Sequence, residues 1–481
     1  MKRGKRPLPI WIYFESPALA AVTRTIAASP DACHLDHYTT MRHQPIPTRL
    51  FSDNRKRVAK RMLANSVAII NCSDLQTTTT DGHAPYYPND DLFYLSGIEQ
   101  EHSILMMTPD AFDPRRRCML FVREPNALLK TWEGDKLSKE DARAISGIDE
   151  IRWLSDFPAQ MRISMCESEH VYLPSNEHSR AKIENEARDH RFAHELKEQF
   201  PLHDFKRLAR IMHELRPLKA PAEIDLIRQA CAITRQGFLR VLDMVKPGVN
   251  EYEVEAEYAH EFIRNRGRMA YNPIIASGAG SCVLHYNRND QVCRDGDVLL
   301  LDVASSYANY NADLTRTLPV NGRFSKRQRQ VYDAVLRTVR TMTRAAVPGV
   351  IARDWQAQCE ALVTAELLQL GLLTSQDVKK QDPLNPACKK YFMHGCGHHL
   401  GLGVHDLGYV DRPFAPGFVL TIEPGIYIAE EGFGIRLEND IVVTKGRGGA
   451  IDLMADTPIE ADEIEELMNR ERSRPRRTKR T

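Results

Sequence analysis

The chain has 481 residues, 65 of them lysine or arginine and 64 aspartate or glutamate, giving a formal charge of +1 at pH 7. Hydrophobic content of 42% and charged content of 27% are those of an ordinary globular protein. A charge this near zero offers no general attraction to nucleic acid or an anionic membrane, and no apolar run approaches the ~20 residues needed to span a bilayer. The length exceeds one ordinary core, so two domains with extensions are expected. The ten cysteines are scattered without CxxC pairs, which reads as reduced thiols in a cytoplasmic protein rather than a disulfide framework.

In chain order, Lys2, Arg3, Lys5 and Arg6 precede an apolar stretch at 8–14, the order found in a secretory signal. Glu15, Ser16 and Pro17 break that stretch, so a signal peptide is not expected. Residues 1–40 are expected to be a leader or a disordered extension, with Met41 a candidate biological start. From about 50 to 170 the short apolar runs ANSVAII, HSILMM and RRCMLFV alternate with helical stretches, which predicts an α/β domain. Residues 177–214 are charged and helical in pattern, interrupted by Pro201. Pro221 is expected to open a helix, because proline is tolerated at the first helical position. Helices are predicted over 221–245, 251–266, 325–345 and 352–370. The tail 467–481 is basic, contains Pro475, and reads as a solvated disordered end.

Between the later helices, four stretches carry five candidate metal ligands: Asp302 and Asp313 in 299–317, His398 in 393–406, Glu423 in 420–428 and Glu438 in 434–443. Taken singly, each has a structural explanation: an aspartate after an apolar run is usually a turn residue, and a glutamate before Pro-Gly can simply end a strand. Asp302 and Glu423, however, follow the β-type runs VLLL and VLTI, and Ile435 and Leu437 alternate with Arg436 and Glu438 at strand period. The four carboxylates are therefore expected to project from neighbouring strands into one cleft. Four carboxylates and an imidazole form a hard, oxygen-rich set that suits one or two divalent ions rather than a structural zinc. Crowded carboxylates repel one another unless cations hold them together.

At these residues the chain resembles the pita-bread metallopeptidases, and among them the Xaa-Pro aminopeptidase (aminopeptidase P) family. The shared motifs are DLTRT at 313–317, HGCGHHLGLGVHD at 394–406, EPGIY at 423–427 and GIRLEND at 434–440, together with SGAGSCVLHYNRND at 277–290. NRKRVAKRMLANSVAII at 54–70 and YYPNDDLFYLSGIE at 86–99 match the family's first domain. The resemblance implies an α/β (α+β) fold, with an N-terminal α/β domain at 41–212 followed by a pita-bread catalytic domain at 213–466. It implies two divalent ions, Mn²⁺ foremost, with Co²⁺, Zn²⁺ or Fe²⁺ as alternatives. Asp313 and Glu438 would bridge them, Asp302 would complete one sphere, and His398 and Glu423 the other. Glu423 is also the implied general base. His285, His394 and His405 are the implied contacts of the scissile carbonyl region. Tyr427, four residues after Glu423, reads as a pocket residue, and Arg436, two before Glu438 on the same strand face, as a residue that steadies the carboxylates or contacts substrate. His399, next to the ligand, reads as a shape residue, and Cys396 as a small buried filler rather than a redox thiol.

The implied reaction is hydrolysis of the Xaa-Pro bond at the start of peptides with proline in second position, by a metal-activated hydroxide, in a cytoplasmic homodimer or homotetramer. Phe93 and Tyr94 read as core aromatics, or as a wall of a neighbour's active site. A prolidase acting on Xaa-Pro dipeptides uses the same ligands but needs a group that grips a free carboxylate, and the residues do not single one out. A non-enzymatic pita-bread binding module would be expected to have lost ligands, and all five are present. The chain departs from the family beside the site, with Val303-Ala304 for the usual Ala-Gly, Ser306 for an acidic residue and Asn309 for glycine. None of these removes a ligand, and all bear on substrate preference.

Overall fold

The apolar runs of the first 170 residues become the centre of a mixed sheet. In the computed structural model, which describes residues 42–182, 184–446 and 449–470, that sheet has six strands. They are β1 (Ser66–Asn71), β2 (Ile104–Met107), β3 (Cys118–Val122), β4 (Glu150–Trp153), β5 (His170–Leu173) and β6 (Asp204–Arg207), in the spatial order β4-β3-β2-β1-β5-β6. The β1–β2 and β2–β3 pairs are antiparallel and the others parallel. β1 is buried at every position, as a central strand covered on both faces must be. Val67, Ile69, Met106, Phe121 and Val171 anchor the core on one face. The leader, Met41 and residues 471–481 of the tail lie outside the described residues.

One element differs from expectation. Asp204–Arg207, in a stretch whose charges read as helical, is the edge strand β6, with helices Arg188–Gln199 and Ala209–Leu215 on either side. An edge strand draws its ladder from one neighbour and keeps its other side wet, so it needs no apolar alternation to announce it.

Asn89 caps the helix Asp90–Ser96 by accepting from the backbone N–H groups of Asp91 and Leu92, and Gly97, in the left-handed region at φ 70°, ends it. This helix buries Phe93 and Tyr94. Phe93 packs edge-on against Phe51 at 6.0 Å and against Tyr310 at 6.5 Å, which makes it a core aromatic between the first sheet and the second half of the chain.

In the second half the four predicted helices form as Pro221–Met244, Glu251–Arg264, Lys326–Ala345 and Ala352–Gln369, joined by the shorter Ser375–Lys380 and Ala461–Asn469, the last running into the expected tail. Pro221 does open the first, and the Glu223 carboxylate accepts the N–H of Ala220 at 2.8 Å. The strands are β7 (Arg268–Met269), β8 (Ile274–Ser277), β9 (Val298–Asp302), β10 (Ser305–Tyr307), β11 (Tyr310–Asn311), β12 (Thr315–Pro319), β13 (Val419–Ile422), β14 (Gly425–Ile428), β15 (Phe433–Arg436), β16 (Asn439–Val442) and β17 (Ile451–Asp452). They pair antiparallel as β12-β9-β8, β11-β10-β7, β13-β16-β17 and β14-β15. No helix of the described residues is long and apolar enough to cross a membrane.

Asp302 and Asp313 are separated by the hairpin β10–β11. Its central residues, Ala308 (φ 50°) and Asn309 (φ 64°), are both left-handed, as a two-residue turn of type I′ requires. Asparagine tolerates that region, which explains how Asn309 replaces the family's glycine. The strand-period alternation of Ile435 to Glu438 does not continue as one strand over 434–443. β15 pairs with β14 and β16 with β13, and the ladder changes partner at Leu437-Glu438.

Candidate metal centre

The candidate ligands sit at strand ends rather than within strands. Asp302 closes β9, opposite Thr315 of β12, and Asp313 lies two residues before β12. Glu423 directly follows β13, and Glu438 occupies the break between β15 and β16. His398 is tied to β13 by two hydrogen bonds: its N–H donates to Thr421 Oγ1 at 3.1 Å, and the Thr421 N–H donates to its carbonyl at 2.9 Å. All five line one cleft of about 380 Å³, together with His285, His394, His405, Arg436, Tyr271 and Arg180. Ligand atoms of Asp313, His398 and Glu438 lie within 4.8 Å of one another. His398 Nε2 is 3.5 Å from Asp313 Oδ2 and 3.6 Å from Glu423 Oε1.

The surrounding bonds hold these groups in place and are too few to neutralise them. Arg436 donates to Asp302 at 2.6 Å, to Thr315 Oγ1 at 3.1 Å and to Tyr427 Oη at 2.9 Å. Thr315 Oγ1 donates to Glu438 at 2.7 Å. The buried Arg316 donates to the carbonyls of Glu438 and Pro458, both at 2.7 Å, and so pins the backbone that carries Glu438. Asp440 Oδ2 accepts the Asp313 N–H at 3.0 Å. Tyr271 Oη lies 2.6 Å from Asp302 Oδ1 and 2.7 Å from Asp313 Oδ1, yet a phenol has one proton and can satisfy only one of them at a time.

Electrostatics show the same shortage. Burial, then Asp313, Glu423 and Asp302, push the Glu438 carboxyl well above its usual range. Burial also raises Asp302 and Glu423, against the opposing pull of Arg436 and His398 respectively. Burial pulls the His398 imidazole down, but Asp313 and Glu423 outweigh it and carry it to about 9. Buried carboxylates that raise one another's pKa, with one phenolic proton between two of them, form a donor set that fits divalent cations.

The other predicted residues divide. His285 lines the cleft and is exposed. His405 packs edge-on against His398, with ring centroids 4.3 Å apart. Burial, then His398 and Arg180, hold His405 down at about 3, so it is neutral. His394 has both nitrogens engaged: Nδ1 is 2.8 Å from the Gly395 carbonyl and Nε2 is 2.7 Å from Tyr427 Oη. Because Tyr427 Oη already accepts from Arg436, its own proton goes to His394 Nε2, leaving Nδ1–H to donate to Gly395. Burial, with Arg436 nearby, holds His394 at about 3, consistent with that neutral form. Tyr427 is buried behind the wall and reaches the cleft through His394 and Arg436. His399 turns into a neighbouring cavity, and Cys396 is a buried free thiol.

Sequence reasoning missed Tyr271, Thr315, Arg316 and Arg180. Thr315 and Arg316 stood inside the DLTRT motif, whose alternation put them on opposite faces of a strand. Tyr271 and Arg180 had no local signal, since what they do depends on partners 31 or more residues away.

Comparison with known proteins agrees with this geometry. Residues 225–445 match metallopeptidase family M24, and residues 51–172 match the aminopeptidase P N-terminal domain. The Xaa-Pro aminopeptidase of Escherichia coli is 33% identical over 440 residues, covering 87% of this chain and 97% of its own. That of Haemophilus influenzae is 31% identical over 439 residues, covering 88% and 98%. The structure of aminopeptidase P from E. coli superposes with a TM-score of 0.80 at 31% identity, covering 90% of this chain and 100% of that one. The chain belongs to the Xaa-Pro aminopeptidase family of M24 metallopeptidases, with an aminopeptidase P N-terminal domain ahead of a pita-bread catalytic domain.

Proposed function

We propose that this metallopeptidase hydrolyses the bond between the N-terminal residue and a proline in second position of peptides, using two divalent ions held by Asp302, Asp313, His398, Glu423 and Glu438. The observation that carries the proposal is the meeting of Asp313, His398 and Glu438 within 4.8 Å in a cleft that Asp302 and Glu423 also line. The hard oxygen and nitrogen donors favour Mn²⁺. Bound ions supply Lewis acidity and a water acidified toward neutral pH.

The chain's own groups do the rest. Glu423, directly after β13, takes a proton from the attacking water, whose oxygen bonds to the scissile carbonyl carbon, and passes it to the proline nitrogen, a tertiary amide nitrogen that leaves well only once protonated. His285 and His405, both lining the cleft, contact the scissile carbonyl region, where hydrogen-bond donors stabilise developing negative charge. His394, locked between Gly395 and Tyr427, shapes the wall beside them. Arg436 holds Asp302 in position and balances part of the carboxylate charge. The domain limits at 41–212 and 213–466, a cytoplasmic location and a homodimeric or homotetrameric assembly belong to the same reading.

The test is cleavage by the Mn²⁺-loaded protein of an Xaa-Pro-Yaa tripeptide, a longer Xaa-Pro peptide and an Xaa-Pro dipeptide, with a chelated control. Metal-dependent release of the first residue from the two longer peptides is expected. Cleavage of the dipeptide alone would make the enzyme a prolidase, and cleavage of none would remove the proposed substrate class.

A further inference from the structure

Two guanidinium groups line the cleft, and they differ in their commitments. Arg436 is buried, and its charge is spent on Asp302 at 2.6 Å. Arg180 is exposed and comes from the segment between β5 and the helix Arg188–Gln199. Among the described residues no carboxylate lies within ion-pair distance of it, and its side-chain partner is an imidazole: Nη1 is 3.1 Å from His405 Nε2. The segment that presents it is pinned. The Arg180 N–H donates to His178 Nδ1 at 3.1 Å, and the Ala181 N–H donates to the His178 carbonyl at 2.9 Å. Just upstream, Glu177 accepts from Ser175 Oγ and Arg207 Nε, both at 2.7 Å.

A guanidinium carries five donors in a planar fork that matches a carboxylate, and a single imidazole nitrogen satisfies one of them. Arg180 therefore brings an unneutralised, carboxylate-shaped positive group to the wall of a cleft whose floor is acidic. We propose that Arg180 is a specificity-determining residue that grips the free C-terminal carboxylate of a short peptide, an inference that rests on the reading of the cleft as an Xaa-Pro peptidase site. The reach decides the length. One ring contact of 4.3 Å separates ligand His398 from His405, and one hydrogen bond of 3.1 Å separates His405 from the guanidinium. These two contacts place the guanidinium close to the candidate metal ligands, within the span of a short extended peptide, whose residues advance roughly 3.5 Å each. The preferred substrates are accordingly short peptides whose carboxylate falls on the residue after the proline, while longer chains are cleaved without this contact. Arg180 is the carboxylate-gripping group that the sequence alone does not single out.

The experiment compares Ala-Pro-Leu with its C-terminal amide as substrates of the Mn²⁺-loaded wild type, R180K and R180Q. In parallel, calorimetry measures binding of the product Pro-Leu and of Pro-Leu amide to the same three proteins. A charge-assisted, bidentate contact predicts that wild type favours the free acid by about tenfold or more, through KM rather than kcat, and shows the same preference in product binding. R180K keeps part of the preference, and R180Q brings the acid-to-amide ratio close to one. Equal treatment of acid and amide by wild type, or an undiminished preference in R180Q, would overturn the assignment. If wild type cleaves neither tripeptide, the reading of the reaction fails, and the calorimetric ratio still decides the role of Arg180.

Discussion

Tyr271→Phe removes one hydroxyl from the most crowded point of the centre while leaving the ring in place. That hydroxyl sits 2.6 Å from Asp302 Oδ1 and 2.7 Å from Asp313 Oδ1. With one proton, it makes one charge-assisted bond at a time, worth about 1.5–3 kcal/mol. At 1.4 kcal/mol per factor of ten, its loss weakens divalent metal binding by about ten- to a hundredfold, the same range found for other groups that orient metal ligands from behind. The assay is calorimetric titration of the metal-free protein with Mn²⁺ against a competing chelator, with circular dichroism to show that the variant keeps its fold. A Tyr271→Phe protein that binds Mn²⁺ as tightly as wild type would refute the reasoning, because the two aspartates would then need no shared donor to be held as ligands.

Three further outcomes are expected. Glu423→Ala leaves the fold intact and abolishes hydrolysis, and normal turnover would take Glu423 out of the mechanism. Arg216→Met lowers stability by about 3–5 kcal/mol, the cost of removing one partner from a buried ion-pair network, because the buried Arg216 donates to Asp406 at 2.5 Å and to Asp90 and Asp91 at 2.9 Å. A denaturation midpoint equal to wild type would contradict this, even though Lys219 remains bonded to Asp406 at 2.8 Å. The third concerns pH. Burial lowers the buried His43, but its hydrogen bond and charge contact with Glu99, 3.2 Å away, raise it on balance, and Glu99 is lowered in turn. A raised histidine pKa contributes stability below its unfolded value of about 6.5, lost as pH rises through the folded value; a lowered glutamate pKa contributes above about 4.5, lost as pH falls. The pair is thus strongest between those limits. His43→Gln is expected to depress the melting temperature more at pH 6 than at pH 8, and an equal depression at both would count against the pair.

What the sequence made legible was mostly local. Pro221 at a helix start, the helical stretches that become Lys326–Ala345 and Ala352–Gln369, and the β-type runs before Asp302 and Glu423 are properties of neighbouring residues, and the structure realises them as read. What was not legible depended on distant partners. Asp204–Arg207 is a strand only because β5 offers it an edge. The break at Glu438 exists because β15 and β16 answer to different neighbours, which no alternation of Ile435, Arg436, Leu437 and Glu438 could reveal. Tyr427 looked like a pocket residue by its spacing from Glu423, but Arg436 and His394 draw its hydroxyl behind the wall. Asn309 looked like a departure from the family, yet its backbone takes the left-handed turn, and its side chain donates to Glu99 at 2.6 Å.

The most direct test of the central claim is a crystal of the Mn²⁺-loaded protein measured on both sides of the manganese absorption edge. The account predicts two anomalous peaks, both enclosed by Asp302, Asp313, His398, Glu423 and Glu438. Peaks elsewhere in the molecule, or none at this cleft at saturating Mn²⁺, would contradict it.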